Sequence, residues 1–187
     1  FTAIYTENGQ FISDPAANFF EDASISAQGA WSGGVGDQFI VSGDLMNNSA
    51  ATDRWDTSLS ELRFTGGGLH QLLSPSRDLG SNTFAGFDNN FAWGILSLGA
   101  GDSLALQGDA VYVGTLDLAG GLDAIGSISG NGNIYYDLRE AGNAYLQGKN
   151  FALAGGGAIV AVHEPASVLI CLLAVAATAG RTRKKRF

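Results

Sequence analysis

The sequence predicts an all-β fold, and three observations lead to this class. Glycine is abundant, with 27 residues, whereas proline occurs only three times. Apolar residues make up 45% of the chain, which is too large a share for a disordered linker. Apolar and polar residues also alternate in runs of about four to eight residues. Short strands joined by glycine-containing turns account for all three observations.

The alternating runs lie between residues 19 and 162, and each is bounded by Gly, Asn or Asp. No stretch of this body shows sustained helical spacing. We therefore predict one exported all-β domain over residues 1–161. The clearest alternating runs are 39–42, 61–64, 95–98, 103–106 and 116–118.

A weak internal repeat favours one all-β topology over another. Residues 91–101 align with 111–121 at an offset of 20, and residues 39–43 align with 62–66 at an offset of 23. Periods of this length, each a strand followed by a glycine turn, are typical of solenoid rungs. The repeat predicts a right-handed parallel β-helix.

The alternative topology is a β-sandwich. Asn131 and Gly132 lie between two apolar segments, and Asn-Gly is the strongest sequence signal for a two-residue hairpin. An antiparallel hairpin there would favour two packed sheets.

Charge is distributed unevenly along the chain. Five of the ten cations occupy the last seven residues, which leaves five upstream against all 18 acidic residues, a net charge of about −13. Such a body repels nucleic acids, whose phosphates need cations. The single cysteine, Cys171, lies in an apolar run, so the sequence offers no disulfide and no thiolate metal site. We predict no metal and no cofactor.

The C-terminal tail has the composition of a short membrane anchor. Residues 166–180 carry no charge and form a predicted helix of about 22 Å, shorter than the roughly 30 Å hydrocarbon core of a bilayer. Positive charge stays on the cytoplasmic side, which predicts that the body lies outside the inner membrane. The main predicted anchor residues are Ala166, Leu169, Leu172, Leu173 and Val175. The predicted cytoplasmic basic cluster, within 181–187, is Arg181, Arg183, Lys184, Lys185 and Arg186.

A short motif precedes this anchor: Val162, His163, Glu164 and Pro165. The order of motif, apolar helix and basic terminus resembles the PEP-CTERM sorting signal of Gram-negative bacteria, whose usual tetrapeptide is Val-Pro-Glu-Pro. Val162, Glu164 and Pro165 match it, and His163 replaces the first proline. Body segments such as 133–137 also resemble segments of that family. The resemblance implies a sorting tail over 162–187, with its motif at 162–167, that is processed by exosortase, an integral membrane protease.

The predicted function follows from this tail. We expect a non-enzymatic protein of the cell envelope or extracellular matrix, first anchored transiently in the inner membrane and then delivered to the surface, with exopolysaccharide as a candidate partner. The alternative is a secreted carbohydrate-active enzyme, a polysaccharide lyase or hydrolase, on a β-helix. Its least implausible carboxylate pair is Asp53 and Asp56. An enzyme would gather carboxylates in one groove, whereas a structural protein would scatter them over turns.

Other chemistry-bearing residues favour structural roles. His70 follows a glycine run, with Ser74, Ser76 and Asp78 nearby, and we expect a solvated turn histidine rather than a catalytic one. Four Gly-Asp dipeptides could hold calcium but are expected to be turns. Trp93 and Tyr112 lie in the repeat and are expected to face the core. The Gly-Asp dipeptides end at Asp37, Asp44, Asp102 and Asp109.

Overall fold

The computed structural model describes residues 3–6 and 9–163, with side chains from residue 9 onward. Nearly half of these residues are in β-strands, and the helices among them are short 3₁₀ helices at Phe84–Phe87, Gly121–Ser127 and Ala141–Leu146. The strands in chain order are β1 (Ala3–Thr6), β2 (Gln10–Ile12), β3 (Ala17–Phe20), β4 (Asp22–Ile25), β5 (Ala30–Ser32), β6 (Gln38–Val41), β7 (Leu45–Asn47), β8 (Thr57–Phe64), β9 (Gly68–Leu73), β10 (Trp93–Leu98), β11 (Asp102–Gln107), β12 (Ala110–Leu118), β13 (Ile128–Gly130), β14 (Asn133–Asp137), β15 (Phe151–Ala152) and β16 (Ala158–Val162).

The strands form three sheets in the described part of the chain. A six-stranded sheet has the order β1-β4-β7-β9-β11-β13, an eight-stranded sheet has the order β15-β16-β14-β12-β10-β8-β6-β3, and β2 pairs with β5 alone. From β7 to β14 the chain passes to the other large sheet after every strand. Hydrogen-bonded neighbours are therefore never consecutive there, and they run parallel.

The internal repeat is confirmed as strand register. Trp93 pairs with Val113 and Leu98 with Leu118, which is the predicted offset of 20. Phe39 pairs with Leu62, which is the predicted offset of 23. Residues at matching repeat positions therefore stack on one another across neighbouring strands.

The step from this repeat to a right-handed parallel β-helix is wrong, because the strands do not build a closed solenoid. The third sheet has only β2 and β5 and continues only as an isolated bridge between Ser32 and Asp56. The connections also differ greatly in length: residues 108–109 suffice between β11 and β12, but residues 74–92 lie between β9 and β10. The strands β15 and β16 are antiparallel, which makes the eight-stranded sheet mixed.

The sandwich alternative is also wrong, because its hairpin does not form. β13 and β14 flank Asn131 and Gly132 but belong to different sheets. The Asn-Gly dipeptide turns the chain from the six-stranded to the eight-stranded sheet, so it makes a corner between sheets instead of a hairpin within one.

The predicted membrane helix at 166–180 lies outside the described residues. Within 3–6 and 9–163, no helix has the length and apolar character needed to cross a membrane.

The main core lies between the sheets, and its N-terminal part is aromatic. The rings of Trp31 and Phe39 are stacked with centroids 4.9 Å apart, and the Trp93 ring meets Phe39 edge-on at 5.4 Å. Trp93 faces this core as predicted. Tyr112 does not, because the neighbouring Val113 takes the inward position beside Trp93.

Tyr112 belongs to a second, smaller core on the opposite face of the eight-stranded sheet. The connection 74–92, here called the strap, crosses that face and covers it with Phe84 and Phe87. Gly86 of the strap lies against the Tyr112 ring, where a Cβ atom would overlap the ring. The buried residues of this second core are Ala92, Ala110, Tyr112, Tyr135 and Val162.

Candidate functional site

An open groove of about 640 Å³ lies between the segments 53–58 and 87–92. Gln10 of β2 and Ser32 of β5 also line it. The volume is within the range of about 300–1,000 Å³ that is typical of small-molecule sites. Most of the side chains that line it are polar.

The floor of the groove is fixed by hydrogen bonds that join its two walls. The Trp55 indole Nε1–H donates to Thr57 Oγ1 at 2.8 Å, and the Thr57 hydroxyl donates to the Ala92 carbonyl at 2.7 Å. The ring of Phe91 packs edge-on against Trp55 at 5.3 Å. All four residues are buried. The floor therefore needs little reorganisation to receive a ligand.

The second wall is a tight polar loop at the end of the strap. Asn89 and Phe91 have φ angles of 48° and 58°, the left-handed region that costs a non-glycine residue roughly 1–2 kcal/mol. The Asn90 side chain offsets this by donating to the Arg77 carbonyl at 3.0 Å and accepting from the Arg77 N–H at 2.9 Å. As a result Asn90 and Phe91 are buried while Asp88 and Asn89 are exposed.

The rim of the groove carries free polar groups. Asp53, Asp56, Asp88 and Asn89 are all exposed. The Asp56 carboxylate accepts a hydrogen bond from the Ser58 hydroxyl at 3.1 Å. The side chains of Asp53, Asp88 and Asn89 have no hydrogen-bond partner within the described residues. The floor is thus held by bonds within the protein, while most of the exposed rim groups are left to hydrogen-bond with water or with a ligand.

The sequence-derived pair Asp53 and Asp56 is thus brought to one groove, together with Asp88, which the sequence reasoning missed. The polar run 88–90 inside the long gap between two strands was the available signal. A carboxyl that acts as a general acid is kept protonated by apolar surroundings. None of the three rim carboxylates is buried, so their positions suit hydrogen bonding better than acid catalysis.

His70 is placed very differently from its prediction. It lies in β9 and is 2% exposed, so the solvated turn is wrong. Its Nδ1 lies 2.8 Å from the Gly43 carbonyl and its Nε2 lies 3.0 Å from Asp102 Oδ1. A carbonyl can only accept, so Nδ1 donates to Gly43, and Nε2 faces the Asp102 carboxyl. Both ring nitrogens are engaged, which leaves neither free to serve a nucleophile.

The residues near His70 in sequence also have structural partners. The Ser74 hydroxyl donates to Ser76 Oγ at 3.0 Å, and the Ser76 hydroxyl donates to the Asn90 carbonyl at 2.6 Å. The Tyr135 hydroxyl donates to Asp78 at 2.7 Å. The structure does not gather these residues around the imidazole.

Three of the four Gly-Asp dipeptides accept backbone hydrogen bonds through their carboxylates, and the fourth, at Asp109, accepts the Asn133 N–H through its backbone carbonyl. Asp37 accepts from the Gly34 N–H at 2.7 Å, and Asp44 accepts from the Gln71 N–H at 2.8 Å. Asp102 accepts from the Gly67 N–H at 2.5 Å as well as meeting His70. Within the described residues, no three His, Cys, Asp or Glu side chains are grouped so that they could hold a metal ion.

The sorting motif begins inside the folded body. Val162 is the last residue of β16 and is fully buried, so the predicted boundary after residue 161 falls within this strand. The His163 N–H donates to the Ser81 carbonyl of the strap at 3.2 Å. Glu164, Pro165, the anchor residues and the basic cluster lie outside the described residues.

No family model, no curated protein and no solved structure matches this chain. The resemblance of the tail to a PEP-CTERM signal therefore stays a prediction from its own residues.

Proposed function

We propose that this chain is an exported, non-enzymatic protein of the cell envelope or extracellular matrix, which its tail delivers and which binds a neutral sugar chain in the groove. The observation that carries the binding role is the free polar rim of the groove above a floor whose hydrogen bonds are already made.

Delivery rests on the tail. A recognition motif, a short apolar segment and five clustered cations follow one another without a gap. The strand β16 ends at Val162, which is the first residue of this motif. An exosortase-type membrane protease and, transiently, the inner membrane are the implied partners.

The chemistry of the rim favours a neutral, hydroxyl-rich ligand. Carboxylates accept hydrogen bonds from sugar hydroxyls, and the amides of Asn89 and Gln10 both donate and accept. An anionic polymer is disfavoured, because the groove has three carboxylates and the body is strongly acidic. The half-buried Phe87 ring adds apolar surface for a sugar face.

A carbohydrate-active enzyme is a second candidate, because Asp53, Asp56 and Asp88 line one groove. The exposure of all three carboxylates favours binding without catalysis. Incubation of the full-length protein with a neutral polysaccharide and with alginate, a uronate polymer, separates the two functions. New reducing ends without new double bonds would identify a hydrolase, and ultraviolet-absorbing double bonds formed from alginate would identify a lyase; either would contradict the non-enzymatic proposal.

Binding is tested with the full-length protein in a nonionic detergent, by its retardation in native gels that contain dextran or alginate. We expect dextran, a neutral glucan, to retard the protein and the anionic alginate not to. Joint replacement Asp56→Asn and Asp88→Asn should weaken dextran binding about tenfold, because each loses a charged acceptor. The matched control is Asp123→Asn, an exposed carboxylate outside the groove. Equal losses in both variants would show that the groove is not the site.

Delivery is tested by mass spectrometry of the mature protein from a host that carries the sorting protease. We expect the segment from about Ala166 onward to be missing, and Glu164→Ala to block its removal without preventing membrane insertion. Recovery of intact C-terminal peptides covering residues 183–187 from the surface-exposed protein would mean that the tail is an ordinary anchor.

A further inference from the structure

The strap that forms one wall of the groove also holds the start of the sorting motif. Its Ser81 carbonyl accepts the His163 N–H at 3.2 Å. Phe84 and Phe87 pack on the second core, which includes Val162. On the other side of Val162, its carbonyl accepts the Leu138 N–H at 3.3 Å. Val162 is thus buried between the sheet and the strap, while His163 is exposed and is held to the strap through its backbone N–H.

The strap is itself anchored to the sheet near this point. Asp78 accepts hydrogen bonds from the Tyr135 hydroxyl at 2.7 Å and from the Asn133 amide at 2.9 Å. The Tyr112 hydroxyl accepts from the Leu79 N–H at 2.9 Å and donates to the Gly80 carbonyl at 3.2 Å. These contacts fix the segment immediately before Ser81.

A cation–π contact holds the middle of the strap. The Arg139 guanidinium carbon lies 3.7 Å from the centroid of the Phe84 ring, and Asp137 holds this guanidinium at 2.7 Å. Asp137 is also the residue that pairs with Val162 across β14 and β16. The same strand end therefore positions both the motif and the strap.

From these contacts we infer that the strap is a clamp on the sorting motif, which keeps Val162 and His163 folded and slows proteolytic processing of the tail. The inference rests on the proposed sorting function. A protease cleft takes an extended, accessible segment, and a buried strand end must detach before it can enter one. On the folded body, Val162 is therefore withheld from a protease cleft, and the backbone of His163 is held by the strap.

The clamp gives a physical role to the position where the motif departs from Val-Pro-Glu-Pro. Proline has no backbone N–H, so a proline at position 163 could not donate to the Ser81 carbonyl. The residue before a proline is pushed towards extended backbone, which Val162 in β16 already has. His163→Pro therefore removes the clamp bond without forcing Val162 out of its strand.

The clamp itself is tested by hydrogen exchange with mass spectrometry on the full-length protein in a nonionic detergent, without any sorting protease. His163→Pro should speed exchange of the β16 amides about fivefold, the effect of one lost hydrogen bond. His163→Ala keeps the backbone N–H and should leave exchange unchanged. Phe84→Ala should also speed exchange, because it removes packing above Val162. Unchanged exchange in His163→Pro and Phe84→Ala would overturn the clamp.

The effect on processing is tested in a host that carries the protease, by the rate at which the tail is lost. Phe84→Ala leaves the motif sequence intact and should raise this rate severalfold, as should His163→Pro. Faster processing of His163→Pro alone would mean that the protease prefers proline, and the clamp would then have no part in processing. Failure of every variant and of the unaltered protein to be processed would contradict the sorting function instead, while the exchange result still decides the clamp.

Discussion

The two halves of the eight-stranded sheet have the same inner face but different outer faces. In the N-terminal half, the outward residues of β6 and β8 are partly exposed and form a polar ladder in which the Gln38 amide donates to Glu61 at 2.7 Å. In the C-terminal half, the outward residues Tyr112 and Tyr135 are stacked at 4.6 Å and buried under the strap. One half of the sheet is therefore covered on one face, and the other half on both.

The difference shows that a long connection which covers one face of a sheet changes the pattern of apolar residues that the strands beneath it need. A strand with one solvent face alternates, as Gln38-Phe39-Ile40-Val41 does in its burial. A strand buried on both faces has consecutive apolar residues, as Ile134-Tyr135-Tyr136 does. The strap that covers this half also forms one wall of the groove and contacts the start of the predicted sorting motif. Both candidate functions, ligand binding and sorting, therefore depend on the strap.

The largest effect is expected from opening the second core. Tyr112→Ala should lower the free energy of unfolding by about 3–5 kcal/mol, as for other large buried aromatic residues. Ile40→Ala, on the uncovered half of the same sheet, should lower it by about 1 kcal/mol, since Ile40 is only half-buried. Urea unfolding of the full-length protein in a nonionic detergent, followed by the fluorescence of the buried tryptophans, measures both. Similar losses would mean that the strap does not create a second core.

A smaller effect is expected from lifting the strap off the sheet. In Gly86→Ala the added Cβ would overlap the Tyr112 ring, and overpacking of this kind lowers stability by about 1–3 kcal/mol. The matched control is Gly126→Ala, whose added Cβ meets nothing within 4 Å and should change stability by less than about 0.5 kcal/mol. The same unfolding assay compares them, and equal stabilities would contradict the close contact between Gly86 and Tyr112.

The anchor of the strap should depend on pH. Burial alone would raise the pKa of Asp78, but hydrogen bonds from Tyr135, Asn133 and the Gly80 N–H outweigh it and lower that pKa. A lowered carboxyl pKa contributes stability above the ordinary Asp value, and this stability is lost as the pH falls through the folded value. Tyr135→Phe removes one of these bonds and should lower stability at pH 7 by about 1 kcal/mol, since Asp78 is exposed.

This deficit should begin to shrink as the pH falls below the ordinary Asp value of about 4, and it should be lost as the pH falls through the lowered folded pKa of Asp78, below which the carboxyl is protonated in both proteins. At high pH the deficit of Tyr135→Phe should shrink as well, because this variant has no phenol to ionise. Burial, together with the hydrogen bond to Asp78 and its charge, raises the pKa of Tyr135, so the unaltered protein loses stability above about pH 10, where only the unfolded chain ionises. Unfolding curves from pH 3 to pH 11 check both arms. A deficit that does not vary with pH would rule out the charged Asp78 bond.

The smallest effect is expected on the uncovered ladder. Gln38→Ala removes the bond to Glu61 on a partly exposed face and should change stability by less than about 0.5 kcal/mol. A loss as large as that of Gly86→Ala in the same assay would show that the ladder matters as much as the strap, and the contrast between the two halves would fail.

The sequence predicted the β-rich class and the pairing of several strands. Alternation and glycine turns are local signals, so they can be recognised in the sequence. The repeat could also be recognised, because similar residues such as Trp93 and Val113 stack on one another in neighbouring strands. The prediction of a β-helix was wrong because a β-helix also requires connections of regular length. The connection 74–92 is longer than the other connections between the described strands, and the local pattern of the strands does not reveal its path. Tyr112 was assigned to the wrong face because its aromatic ring was expected in the core, although the offset of 20 gives the inward position beside Trp93 to Val113.

What the sequence determined by itself is therefore the alternation, the offsets of 20 and 23 between paired strands, and the order of motif, apolar segment and cations in the tail. Only the tertiary structure decided that His70 meets Asp102 across 32 residues, that Asp53, Asp56 and Asp88 share a groove, and that Ser81 holds His163. The first group depends on neighbours along the chain or on repeated residues. In the second group, the His70–Asp102 contact depends on the pairing of β9 with β11. The other two depend on where one irregular connection crosses the sheet, which is set by the packing of Phe84, Gly86 and Phe87 on outward side chains far away in sequence.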